Sequence, residues 1–146
     1  MEVSVNPAAV LVSAVLFFFL GSLWYSNMMF AQPWQNSVGI TKETMEKRIA
    51  AGETNIFSSL VLMFASGLLM SYVLAQFIER MIRLQPKKDP FHVAVETAWW
   101  AWLGFIATYL IGPVAFESKS WVYYTINSGY WLCGMLMTGA IVGYWR

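Results

Sequence analysis

The side chains best suited to chemistry are a histidine, a glutamate and a tryptophan spaced four residues apart. His92, Glu96 and Trp100 would share one face of a helix, because residues four apart are neighbours on a helical surface. An imidazole can form a hydrogen bond with a carboxylate, and the face of an indole attracts cations. We therefore treat this stripe as the candidate site for a lipid headgroup or a cation. The simpler interpretation is a structural hydrogen bond between His92 and Glu96.

The rest of the chain offers little other catalytic chemistry. His92 is the single histidine of the sequence, and the single cysteine, Cys133, falls in an apolar segment where a buried thiol is normally inert. The chain has no glycine-rich phosphate loop and no Gly-x-Ser-x-Gly nucleophile motif. Asn127 is also polar within an apolar segment, and we expect it to form a hydrogen bond between helices. The sequence favours a protein that is not an enzyme and uses no metal or cofactor.

The overall composition indicates that these residues belong to a membrane protein. Of the 146 residues, 58% are hydrophobic and 12% are charged, about half the roughly 25% typical of soluble domains. A formal net charge of +1 excludes a strongly basic nucleic-acid-binding protein. A single cysteine excludes a disulfide framework. The composition predicts a small integral membrane protein whose main partner is the lipid bilayer.

Four long intervals without charged residues predict four membrane-spanning helices. The intervals cover residues 3–41, 54–78, 97–116 and 120–145. A helix of about 20 residues crosses a hydrocarbon core of about 30 Å, so each interval is long enough. We place the spans at 7–31, 56–80, 90–114 and 121–145, within one domain over residues 1–146. The predicted fold is an all-α, integral membrane four-helix bundle.

A short polar segment separates the first two predicted spans. Thr41 can cap a helix there, and Gly52 can end it. The pairs Lys42–Glu46 and Glu43–Lys47 have the spacing that stabilises isolated helices. This pattern predicts a short polar helix at the membrane surface between helices 1 and 2.

Aromatic and small residues predict how the spans are anchored and packed. Aromatic rings near the span ends are expected at the membrane interfaces: Trp24, Tyr25, Trp34, Trp121 and Trp145. Small residues let helix backbones approach closely, and the candidates are Gly67, Ser71, Gly129, Gly134, Gly139 and Gly143. Two interpretations of the small residues stay open, which are packing inside one bundle and a homo-oligomer interface.

The distribution of basic residues predicts the orientation. With four spans, both termini lie on the same side as the loop 79–89, which holds four basic and two acidic residues. The segment 42–53, on the other side, holds three of each. Because cytoplasmic loops carry an excess of lysine and arginine, we expect both termini in the cytoplasm.

Several short motifs resemble those of one bacterial family. They are Asn6-Pro7-x-Ala9, Gly21-x-Leu23-Trp24-Tyr25-Ser26, Phe30-x-x-x-Trp34, Trp102-x-Gly104-Phe105, Asn127-x-Gly129-Tyr130-Trp131 and Gly139-Ala-Ile-Val-Gly143-x-Trp145. Over nearly the whole chain, this sequence resembles the family numbered 1761 among the domains of unknown function. The resemblance implies a small four-helix membrane protein and implies no activity. We expect a multi-pass protein of the bacterial inner membrane.

These observations leave three hypotheses about function. The first is a non-enzymatic membrane protein that associates with itself or serves as an accessory subunit of a larger membrane complex. The second is a small transporter or channel, for which Asn127, Ser59, Ser66 and Thr108 provide too few polar residues to indicate a pore. The third is a lipid- or quinone-binding membrane protein, whose polar candidates are His92 and Glu96. None of them requires a nucleic-acid partner.

Overall fold

The computed structural model describes residues 4–146 and consists of helices joined by short turns. Residues 1–3 of the predicted domain, including Glu2, lie outside the described residues. The helices are α1 (Pro7–Trp24), α2 (Ala31–Val38), α3 (Lys42–Ala50), α4 (Ile56–Leu84), α5 (Pro90–Ala101), α6 (Ile111–Phe116) and α7 (Trp121–Tyr144), and a π-helical segment (Trp102–Ala107) follows α5. No strand occurs between residues 4 and 146, so the all-α prediction is confirmed.

Three of the helical stretches are long and apolar enough to cross a membrane. They are α1, α4 and the stretch Pro90–Phe116, which joins α5, the π-helical segment and α6. This finding agrees with the prediction of a membrane protein and with three of its four spans. The fourth predicted span coincides with α7, whose composition is less apolar than that of the other three.

The first predicted span, 7–31, is wrong at its end, since the helix stops at Trp24. The Ser26 amide and hydroxyl both donate to the carbonyl oxygen of Leu23, at 3.1 and 2.7 Å, and so take the chain out of the helical pattern. A second short helix, α2, then begins at Ala31. It tolerates Pro33 because proline in the first turn of a helix removes no hydrogen bond.

Two further boundaries differ from the predictions. The second span continues past residue 80 to Leu84 and ends before Pro86, since proline disfavours helix in the preceding residue. The third span is interrupted after Ala101 by the π-helical segment and a turn before Ile111. Pro113 has no amide hydrogen, so the regular hydrogen-bond pattern cannot continue through it.

Side-chain caps explain where most helices begin. Oxygen atoms of the capping side chains accept hydrogen bonds from backbone amides of the first turn, at Asn6, Thr41, Asn55, Asp89 and Ser120. The cap at Thr41 opens α3, so the structure contains the predicted polar helix between the first two spans. These caps satisfy amide groups that have no partner within the helix.

Helix α7 lies at the centre of the bundle and contacts α1, α2, α4 and α5. Apolar side chains from α1, α4, α5 and α7 form a common core: Val10, Leu74, Ala75, Ile78, Ile82, Val93, Ala94, Ala98, Met135 and Val142. The ring of Phe17, from α1, fills the space left by Gly67 of α4 and Gly134 of α7. A Cβ atom at Gly134 would overlap that ring.

The other small residues also contact neighbouring helices of the same chain. Gly129 faces the ring of Trp24, and Ser71 is fully buried. A Cβ atom at Gly139 would lie 2.9 Å from the Cβ of Ala98, and one at Gly143 would lie 2.6 Å from the Cβ of Ala94. The Gly139–Gly143 face of α7 is therefore occupied by α5 within a single chain.

Candidate functional site

His92 and Glu96 contact different partners and not each other in the described structure. His92 Nδ1 lies 2.8 Å from Asp89 Oδ2, while Glu96 Oε2 lies 3.4 Å from Lys88 Nζ. Asp89 Oδ2 also caps α5 by accepting from the backbone amide of His92 at 3.0 Å. The carboxylate of Asp89 therefore lies beside the imidazole of His92, in the place predicted for Glu96. These hydrogen bonds lower the pKa of Asp89.

Glu96 and Trp100 line a groove between α4 and α5, which we call the α4–α5 groove. Its volume is about 650 Å³, and its lining residues are Phe77, Arg80, Met81, Leu84, Gln85, Glu96, Thr97, Trp100, Ala101 and Phe105. His92 does not line it and instead borders a separate depression with Phe91, Val95, Glu96, Trp99 and Leu136. The predicted stripe is therefore divided, and Glu96 lies between the two hollows.

One end of the α4–α5 groove is rich in basic residues. Arg80 Nη1 donates to the backbone oxygen of Gln76 at 2.8 Å and to its Oε1 at 3.0 Å, which holds the guanidinium against α4. A second depression of about 300 Å³ shares Leu84 and Gln85 with the groove and adds Pro86, Lys87 and Lys88. In the sequence these residues are charges at the end of α4 and in the loop after it, and no local pattern associates them with Trp100. That association depends on the pairing of α4 with α5.

An ion pair between a buried glutamate on α4 and an exposed arginine after α7 was not among the predicted features. Glu79 is only 5% exposed, and Arg146 binds its two carboxylate oxygens through Nε and Nη2, each at 3.0 Å. The carboxylate raises the pKa of Arg146 through these hydrogen bonds. A signal was available, since Glu79 lies four residues after Ala75 and three before Ile82, on the buried face of α4.

At the other end of the bundle, polar side chains join α7 to the chain that follows α1. The Tyr25 hydroxyl donates to Asn127 Oδ1 at 2.8 Å, so the hydrogen bond predicted for Asn127 joins α7 to the residue that caps the end of α1. Trp24 Nε1 donates to the Ile126 carbonyl oxygen at 3.0 Å, and Trp34 packs against the ring of Tyr25.

The aromatic residues predicted as interface anchors therefore fall into two groups. Trp24, Tyr25 and Trp34 are half-buried and bind other parts of the bundle, whereas Trp121 and Trp145 are exposed. Cys133, expected to be buried, is instead exposed on α7. Within residues 4–146, no three side chains of the types histidine, cysteine, aspartate and glutamate come together in a way that could hold a metal ion.

Comparison with known proteins identifies a family but no activity. The model of one family, described as "Protein of unknown function (DUF1761)", matches residues 8–143. No curated protein and no solved structure matches the chain. The family match covers nearly all of the helical bundle described above. The chain therefore belongs to the DUF1761 family, as its motifs suggested.

Proposed function

We propose that the chain is a four-span membrane bundle in which α7 is the fourth span. A helix of 24 residues is about 36 Å long at 1.5 Å per residue, which exceeds the hydrocarbon core of about 30 Å. No charged residue occurs between positions 120 and 145. The lower hydropathy of α7 follows from its central position, because its polar and small residues face other helices: Ser128, Gly134, Thr138, Gly139 and Gly143.

The same proposal gives an orientation. Asn6 Nδ2 donates to the carbonyl oxygen of Trp145 at 3.4 Å, so the described start and end of the chain meet at one end of the bundle. The basic loop between α4 and α5 lies at this end as well, since Arg146 reaches Glu79. We infer cytoplasmic termini from the excess of basic residues in that loop, and a location in the bacterial inner membrane.

We infer further that the protein acts without catalysis, by associating with another membrane-embedded surface. The observation that carries this inference is Tyr72, which lies near the middle of α4 and is 50% exposed. Its hydroxyl makes no hydrogen bond within residues 4–146. Hydrocarbon offers a hydroxyl no partner, whereas a neighbouring transmembrane helix can provide one.

The exposed face around Tyr72 suits helix association. We call it the α4 outer face, and it consists of Leu62, Ala65, Ser66, Leu69, Tyr72 and Val73, all exposed. Ala65 and Ser66 are small, which permits close approach of a second helix. An apolar hollow of about 470 Å³ beside this face, between α1 and α4, could receive side chains of a partner. The helix faces that carry the spaced glycines already pack against other helices of the same chain. Association with a partner would therefore use the α4 outer face.

The transporter or channel hypothesis has less support. The centre of the bundle is filled by Phe17 and by the fully buried side chains of Ser13, Ser71 and Thr138. Ser13 donates to the Ala9 carbonyl oxygen at 2.8 Å, which is a bond within its own helix. A conducting path between these four residues would require the helices to separate.

The association is tested by removing only the hydroxyl, with Tyr72→Phe. The full chain is purified in mild detergent, and its mass distribution is measured by native mass spectrometry across a range of protein concentrations. A hydrogen bond between transmembrane helices contributes about 0.6 to about 2 kcal/mol, so self-association should weaken about 3- to 30-fold. The matched control is Tyr144→Phe, whose hydroxyl lies at the exposed end of α7.

Three outcomes separate the alternatives. Weaker self-association of Tyr72→Phe, with Tyr144→Phe unchanged, supports a homo-oligomer through the α4 outer face. A monomer that purifies with other membrane chains, and loses them in Tyr72→Phe, supports an accessory subunit. A wild-type monomer without partners, both in detergent and after cross-linking in the membrane, contradicts the association.

A further inference from the structure

We propose that the α4–α5 groove, together with the adjoining Lys87–Lys88 depression, binds one anionic phospholipid. The two hollows share Leu84 and Gln85 and so form one continuous surface. This site lies on the α4–α5 side of the bundle, lined by residues other than those of the α4 outer face. The proposal requires the chain to span a membrane but does not require it to associate with a partner.

The charges around the surface favour an anion. Three cationic side chains, those of Arg80, Lys87 and Lys88, line it with a single carboxylate, Glu96. Lys88 Nζ is 3.4 Å from Glu96 Oε2 and thus offsets that negative charge. Two cations then remain in excess. Basic pockets between transmembrane helices at the cytoplasmic side are the sites that anionic headgroups prefer.

The donors also have the chemistry that a phosphodiester needs. Arg80 is held against α4 by its bonds from Nη1 to Gln76, and a guanidinium presents five N–H donors suited to phosphate oxygens. The amide of Gln85 and the hydroxyl of Thr97 line the same groove. The Thr97 hydroxyl already donates to the Val93 carbonyl oxygen, so it can contribute only as an acceptor to a headgroup hydroxyl.

Polarity changes along the groove in the direction that a lipid requires. The basic end adjoins the loop between α4 and α5, at the ends of two spans, where lipid phosphates lie in a bilayer. Away from the loop, the walls become apolar with Phe77, Trp100 and Phe105. Glu96 and Phe105 are nine positions apart, which corresponds to about 13.5 Å along a helix, enough to hold the upper part of an acyl chain.

The π-helical segment after α5 forms one wall of the apolar part of the α4–α5 groove. Phe105 belongs to the π-helical segment, and the indole of Trp102 in the same segment donates to the Ser128 carbonyl oxygen at 2.9 Å. This bond attaches the segment to α7, while Phe105 points outward with high exposure. Short π-helical segments occur frequently at functional sites.

The test measures lipid retention by the delipidated full-length protein. Phosphatidylglycerol and phosphatidylcholine with identical acyl chains are titrated separately, and bound lipid is counted by native mass spectrometry. We expect wild type to retain one phosphatidylglycerol more tightly than phosphatidylcholine. Each cation near a membrane surface contributes about 1 kcal/mol, so Arg80→Gln and Lys87→Gln should each weaken phosphatidylglycerol binding about fivefold. Binding of phosphatidylcholine should change little.

Glu96→Gln distinguishes an anionic from a zwitterionic headgroup. If the ligand is anionic, removing the carboxylate strengthens phosphatidylglycerol binding, because it removes repulsion and releases Lys88. If the carboxylate instead binds a headgroup amine, Glu96→Gln weakens retention of phosphatidylethanolamine, and the proposal is wrong. Trp100→Ala should weaken both lipids, since the indole contacts the acyl chain in either case.

Two controls make the result specific to the site. Lys42→Gln, at the opposite end of the bundle, removes the same charge and should leave retention of both lipids unchanged. Glycerol phosphate at the same concentration should not be retained, because the acyl chain provides much of the binding. Equal retention of phosphatidylglycerol and phosphatidylcholine by wild type, or an Arg80→Gln variant that binds like wild type, would overturn the proposal. Comparable phosphatidylcholine binding in the charge variants shows that they are folded.

Discussion

At the scale of single residues, the nearest available partner decides the role of a charged side chain. His92 lies beside the capping carboxylate of Asp89, three residues earlier, rather than beside Glu96 four residues later. Asp89 receives hydrogen bonds from both the backbone amide and the ring of His92. Glu96 is then available to Lys88 and to the α4–α5 groove.

We therefore predict that protonation of Asp89 lowers the stability of the start of α5 at acidic pH. Its pKa is lowered from the usual 3.8, chiefly by the backbone hydrogen bond and then by the side-chain bond from His92. A lowered folded-state pKa means that the stabilisation is present above the unfolded value and is lost as the pH falls through the folded value. The wild-type melting temperature should therefore fall as the pH drops below the usual pKa of 3.8 and through the lower folded-state value.

Asp89→Asn provides the comparison, because asparagine keeps the cap without the titrating group. We expect the acid decrease in melting temperature to be smaller in Asp89→Asn than in wild type. Glu96→Gln, which removes an exposed carboxylate on the same helix, should retain the decrease. Superimposable curves for wild type and Asp89→Asn would show that Asp89 does not titrate in the way described.

Glu79 shows how pairing changes the meaning of a charge. Taken alone, its carboxylate marks the end of a membrane span, because burial of an unpaired charge is unfavourable. With Arg146 bound to both oxygens, Glu79 lies inside the bundle and α4 continues to Leu84. Arg146 therefore neutralises a buried charge on a helix that begins ninety positions earlier, at Ile56.

At the scale of elements, small residues determine which helices approach most closely. The face of α7 with Gly139 and Gly143 lies against Ala94 and Ala98 of α5. Both surfaces lack bulk, so the backbones pack with almost no side chain between them. This is the association that small-residue spacing favours in a membrane, here formed within one chain.

Gly139→Leu should therefore destabilise the bundle. The new Cβ would meet the Ala98 Cβ at 2.9 Å and the Ala94 carbonyl oxygen at 3.0 Å, and neither can move without shifting α5. Overpacking of this kind costs about 1 to 3 kcal/mol, measured as a lower melting temperature in detergent. The matched control is Gly104→Leu, because no atom lies within 4 Å of a Cβ at that position. If the two variants had equal melting temperatures, the Gly139 face of α7 would not pack against α5 as described.

At the scale of the whole molecule, the central position of α7 sets the topology. The four antiparallel spans that we propose would return the chain to its starting side, in agreement with the hydrogen bond from Asn6 to Trp145. Three spans would instead leave the two ends on opposite sides. The less apolar composition of α7 is compatible with a span because neighbouring helices, and not lipid, cover its polar residues.

Cysteine labelling tests this topology. In a Cys133→Ser background, single cysteines replace Lys87, in the loop between α4 and α5, and Ser118, between α6 and α7. In intact cells, a membrane-impermeant maleimide should label only the Ser118 position if the termini are cytoplasmic, and a cysteine at Arg146 should remain unlabelled. Labelling of the Arg146 position together with Ser118 would contradict the fourth span. Labelling of the Lys87 and Arg146 positions alone would keep four spans and reverse the orientation.

Much of this architecture follows from local features of the sequence. The charge-free intervals, the capping residues and the prolines act over a few positions, so they predict an all-α membrane protein and most helix starts. They also predict the polar helix α3 and the bond made by Asn127. The local pattern failed at Ser26, where a side-chain bond to Leu23 ends α1 early, and at the π-helical segment.

The tertiary structure alone decided which side chains meet. The pairing of α4 with α5 joins Arg80 to Glu96 and Trp100 in one groove, and the packing of α7 brings Arg146 to Glu79. These contacts depend on how whole helix faces fit together. The local sequence around each residue does not show how distant helix faces fit. Hydropathy indicates that a side chain avoids water, but it does not show whether lipid or a neighbouring helix covers that side chain.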